Sequence, residues 1–146
     1  MDTVVINKNI NSFKNHLQSE NFYMEENKNS DGSSFFSTEQ RTENGANIRI
    51  VVAFSNEFPS VDIYAFNIAE VKDPLKKESV LKLLNNLNLN YRYTKFTIND
   101  NDSITLSSAL DFTETNFDPS LILRHIFMVY NGANDEFKSF MKLIWA

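Results

Sequence analysis

Histidine, serine and the acidic side chains are the residues with which this chain could do chemistry. Their spacing argues against a reaction centre. The two histidines, His16 and His125, stand far apart in the sequence and by themselves define neither a metal site nor a base with its nucleophile. Serine is common, but no Gly-x-Ser-x-Gly elbow exposes one at a strand-to-helix turn. HExxH, Walker A and dinucleotide-binding glycine patterns are all missing. Glu25 and Glu26 are neighbours on an extended segment, so their carboxylates point to opposite faces and do not form an acid–base couple. Asn99-Asp100-Asn101-Asp102 offers a row of oxygen donors that suggests calcium. Counted from Asp100, however, the sixth position is Thr105 and the twelfth is Asp111, where an EF-hand loop needs Gly and Glu. Asn and Asp form tight turns through their own side chains, and a hairpin turn accounts for this stretch. Without cysteine there are no disulfides, thiolate ligands or thiol nucleophiles. The expectation is a protein that is not an enzyme and holds no metal or cofactor.

The elements around these residues read as one domain over residues 1–146. The chain is 42% apolar and 13% aromatic, with 13 phenylalanines and only three glycines and three prolines, which is a globular rather than low-complexity composition. Residues 9–20 predict a helix with Ile10, Phe13 and Leu17 on one stripe. A first strand is predicted to start at Phe22-Tyr23-Met24 and run into Glu25-Glu26. Asp31-Gly32 and Asn44-Gly45 are hairpin signals on either side of a second strand, residues 34–42. The third strand, residues 47–54, alternates Ile48, Ile50, Val52 and Phe54 against Arg49, Val51 and Ala53. The fourth, residues 61–69, is apolar on both faces, with Val61, Ile63 and Ala65 opposing Tyr64, Phe66 and Ile68. Asp73-Pro74 opens a second helix whose stripe is Val80, Leu83, Leu84 and Leu87, ending near Asn88–Asn90. Residues 91–98 and 103–110 predict a last pair of strands across the acidic turn. Asp118-Pro119 opens a final helix, with a break expected at Asn131-Gly132 and Trp145 packed at its end as an anchor. The fold class is therefore α+β, an antiparallel sheet with helices in the order α-β-β-β-β-α-β-β-α.

An antiparallel sheet commonly buries one face and leaves the other in water. Strands that are apolar on both faces thus predict a second apolar surface. Val51, Ala53, Val61, Ile63 and Ala65 are its expected residues, on the face away from the main helices, either covered by another helix of the chain or open to a partner.

The element order and the text of the central stretch resemble the YbjN-like family, whose fold is similar to that of type III secretion chaperones. The residues that carry the resemblance are Leu84-Asn85-Asn86-Leu87-Asn88 at a helix end, Lys95-Phe96 in an aromatic-bearing strand, the acidic turn, the strand at 104–110 and the long helix after Asp118-Pro119. The N-terminal helix and the Asn44-Gly45 hairpin match as well, while residues 21–41 match least. The resemblance implies a small cytoplasmic, non-enzymatic binder or regulator, dimeric like the secretion chaperones, that engages a polypeptide. A second class, an acidic inhibitor or immunity-type protein blocking a basic folded target, suits the net charge of −5. The same charge opposes nonspecific binding to nucleic acid. The N-terminus carries no basic stretch followed by a long apolar run, and no segment is long enough to span a bilayer, so no membrane partner is expected.

Overall fold

The computed structural model describes residues 2–146, and its elements follow the expected order. They are α1 (Thr3–Ser19), β1 (Glu25–Lys28), β2 (Ser34–Arg41), β3 (Asn47–Phe54), β4 (Ser60–Phe66), α2 (Pro74–Asn90), β5 (Lys95–Ile98), β6 (Ile104–Asp111) and α3 (Pro119–Ile144). Each helix starts the same way. Asp2, Asp73 and Asp118 are the N-caps, and their side chains accept the backbone N–H of Val4, Leu75 and Ser120 at 2.9, 2.9 and 3.0 Å. These bonds satisfy donors that a helix start leaves unpaired. The Asp2 cap moves the start of α1 to Thr3, well ahead of the expected Asn9.

Three boundaries differ from the sequence reading for local reasons. Phe22-Tyr23-Met24 is not strand. Asn21 takes a left-handed conformation (φ 53°) and the Phe22 N–H returns to the Leu17 carbonyl, which closes α1 and turns Met24 into the core. Tyr91 belongs to the end of α2, not to β5. Its N–H donates to the Leu87 carbonyl and its hydroxyl to a Glu136 carboxylate oxygen at 2.7 Å. Burial, then the Glu136 bond, raises the phenol's pKa well above the ordinary value. The expected break at Asn131-Gly132 is absent, and α3 runs through it unbroken.

The six strands form one antiparallel sheet in the order β1-β2-β3-β4-β6-β5. The register places Ile50 opposite Ala65, Val52 opposite Ile63, Phe54 opposite Val61, and Ala65 opposite Leu106. These side chains share a face with Ile48, Phe36, Phe96 and Ile104. All three helices pack over that face. α3 crosses β3, β4 and β6, while α1 and α2 flank it. Ile122, Ile126, Val129 and Phe140 from α3 and Phe13 from α1 complete the core. Phe13 meets Phe36 edge to face at 5.1 Å between ring centroids, and Phe96 meets Phe140 at 5.7 Å.

Gly132 shows why α3 stays intact there. The residue is buried, and a Cβ on it would stand 2.5 Å from Leu106 Cδ2, itself fully buried. Glycine is present for close approach of helix to sheet, not for a bend. Gly132→Ala gains about 1 kcal/mol of helix propensity but overpacks the core at a cost of roughly 1–3 kcal/mol. Denaturant unfolding should therefore show a net loss of stability. A more stable variant would mean that the helix can lift off the sheet freely.

Candidate functional site

The register divides the five residues expected to form a second apolar surface. Val61, Ile63 and Ala65 face the helices and are buried, Ile63 and Ala65 completely. They are core, because each stands opposite a core residue of β3. Alternation within one strand sets which residues share a face, but the length of the 55–59 turn sets how neighbouring strands align. Val51 and Ala53 do lie on the other face, opposite Tyr64 and Asp62.

Among the described residues no helix lies over that other face. Its centre is built from Phe35 and Ser37 of β2, Val51 and Ala53 of β3, Tyr64 and Phe66 of β4, and Ser107 of β6. Tyr64 and Phe66, two residues apart on one strand, stack with ring centroids 4.8 Å apart and planes at 16°. Both rings are half-buried, and Val51 lies beside Tyr64 on the neighbouring strand. Burial, then the charge of Asp62, raises the Tyr64 phenol's pKa, so the hydroxyl stays protonated and can donate. Sequence patterning assigned this aromatic pair to the wrong side of the sheet. Its signal was present in the alternation of Tyr64 and Phe66 with Ile63 and Ala65.

Beside the stack the sheet opens into a polar groove. Asp62, Tyr64, Ser107 and Ala109 form its floor, and Arg92, Tyr93 and Thr94, between α2 and β5, form its wall with Lys95 of β5. Ser108 lies at its inner end, where its hydroxyl is 2.9 Å from His125 Nδ1. Both residues are buried, and Tyr93 packs its ring against the imidazole. Among the described residues no carboxylate holds the other ring nitrogen. The pair thus lacks the third group that orients a catalytic base, and its bond satisfies two buried polar groups. His16 sits elsewhere, in the last turn of α1.

The remaining sequence candidates also have structural partners. Asp102 pairs with Lys77 at 2.7 Å, the Asn99 amide donates to Thr105 Oγ1, and Asn101 accepts from Ser103, so three of the turn's four residues are engaged in the turn and in α2, while Asp100 is exposed. Glu26 points to the helix side and pairs with Lys14, while Glu25 points to the open face. Trp145 does not anchor the C-terminus by packing; it is 81% exposed. Among the described residues no helix is long and apolar enough to cross a membrane. Neither a scan against protein-family models nor a search of curated proteins finds a match to this chain.

The buried imidazole gives a pH signature. Burial, then the neighbouring Arg124, lowers the pKa of His125 below its ordinary 6.5. On acidification the unfolded chain takes up this proton first, so stability is full above about 6.5 and falls as pH drops through the folded pKa. Thermal midpoints measured from pH 7.5 to pH 5 should fall more steeply for the native chain than for His125→Gln. Parallel curves would mean that His125 is solvated.

Proposed function

We propose that this chain is a non-enzymatic polypeptide-binding module that acts in the cytoplasm through the open face of its sheet. The observation that carries the reading is the stacked Tyr64–Phe66 pair, set among Phe35, Val51 and Ala53 on a face with no helix over it. Aromatic side chains offer large contact area with little conformational entropy to lose, which suits them to partner surfaces. The adjoining groove adds Arg92, Lys95, Tyr64 and Ser107, which can bond to backbone and side-chain groups of an extended segment. The α+β element order supports placing the chain with YbjN-like proteins, and so with a chaperone-like or regulatory role.

The acidic-inhibitor reading finds less support. The open face alternates Glu25, Glu39, Asp62 and Asp111 with Arg41, Arg49 and Lys95, so the net negative charge is not gathered there.

Two aspartate substitutions test the surface. Tyr64→Asp places a charge on the open face, where water can solvate it. The protein should stay folded, and a polypeptide that co-purifies with the tagged native chain should be lost. Ile63→Asp buries an unpaired charge one residue away and should unfold the domain. Retention of the same partner by folded Tyr64→Asp would reject this face as the binding surface.

A further inference from the structure

The two edges of the sheet are not equivalent. On β5 the outward-facing backbone groups are those of Phe96 and Ile98, and the Asn88 side chain closes the Phe96 pair at the middle of the strand. Its amide donates to the Phe96 carbonyl at 3.0 Å, and its carbonyl oxygen accepts the Phe96 N–H at 2.7 Å. The side chain takes the place of a seventh strand. On the opposite edge β1 is short and pairs only with residues 34–37 of β2. Residues 38–41 extend beyond it, still paired on their inner side to β3.

The hydrogen-bond phase shows which groups are bare. The Thr42 N–H donates to the Ala46 carbonyl. Antiparallel pairing alternates along a strand, so Gln40 and Thr38 also bond inward to β3, and Glu39 and Arg41 turn their N–H and C=O groups outward. Among the described residues nothing bonds to these four groups. A free edge of this kind is a template for another strand.

Charge chooses the strand. Glu39 and Arg41 lie on the same face, two residues apart. When β2 meets its own copy antiparallel about a twofold axis at Gln40, Glu39 of each chain stands opposite Arg41 of the other. Those are the two residues with outward backbone groups, so the register forms four interchain backbone bonds and two opposite-charge pairs together. Centring on Glu39 or on Arg41 opposes like charges. The first also requires the groups of Ser37, which β1 already uses, and the second runs into the 43–45 turn. Arg49, beside Glu39 at 3.7 Å, extends the alternation of charge. On the helix side Gln40 meets Gln40, and the apolar groove beside it, lined by Phe22, Phe127 and Tyr130, faces its twofold copy. Phe127 is 47% exposed in the single chain.

The geometry points to a second copy of this chain as the occupant of the β2 edge, in a twofold dimer centred on Gln40 that joins two six-stranded sheets into one. The dimer does not depend on what the open face binds.

Charge exchange tests it directly. The native chain should show a concentration-dependent mass reaching twice that of the monomer in sedimentation equilibrium. Glu39→Arg alone and Arg41→Glu alone each oppose like charges in both pairs and should weaken dimerisation about tenfold or more. An equimolar mixture of the two variants restores both pairs and should form a heterodimer of near-native affinity, as should the homodimer of Glu39→Arg/Arg41→Glu. Far-ultraviolet circular dichroism confirms that each variant is folded. In hydrogen exchange, the amides of Glu39 and Arg41 should become protected as the native chain dimerises. The inference is overturned by a native chain that stays monomeric at millimolar concentration. It is equally overturned by single variants that dimerise like the native chain, by a mixture that stays monomeric, or by edge amides protected only when a foreign polypeptide is added.

Discussion

The close approach of α3 to the sheet at Gly132 and Leu106 is the constraint on which the architecture rests. It lets a single long helix lie across β3, β4 and β6, with Ile122, Ile126, Val129 and Phe140 pressed onto the strands. α1 and α2 then have one place to go, on either side of that helix and over the same face. A larger residue at 132 would raise α3 and open a gap along the core, where interior packing leaves little slack. Because all the helices serve one face, the other keeps only its own side chains for cover. Its properties follow from the register: Tyr64 and Phe66 at the centre, small and hydroxylated residues on β6, and charges toward the rims.

Much of this was legible from the chain itself. The Asp-Pro pairs at 73–74 and 118–119 marked two helix starts through chemistry that is local to four residues. Alternation in β3 separated Ile48, Ile50, Val52 and Phe54 from Arg49, Val51 and Ala53 as the structure does. The errors came where the deciding contact was distant. Ile63 and Ala65 could be grouped with each other but not assigned a side, since strand alignment depends on the turn before Ser60. Gly132 read as a helix breaker because its reason, Leu106, lies on another element. Tyr91 looked like strand by composition, yet its hydroxyl partner is Glu136 on α3. The site was the least legible part. Val51 and Ala53 were found, while the aromatic pair that gives the face its character was placed against them rather than with them.

Buried polar groups show the same economy. His125 and Ser108 satisfy each other beneath the polar groove, and the asparagines of the turn at 99–102 bond to neighbouring hydroxyls. Both features could be mistaken for catalytic or metal-binding sets by residue type alone. Their partners show that they hold backbone and helix in place.

Asn88 gives the asparagine-rich end of α2 a meaning beyond helix termination. By occupying both backbone groups of Phe96 it blocks the middle of one of the two edges at which this sheet could grow. A subunit with two usable edges can add neighbours without limit and build a filament. A subunit with one can be satisfied a single time. One amide side chain on a neighbouring helix thus makes that edge a poorer template for a further strand than a fully bare one.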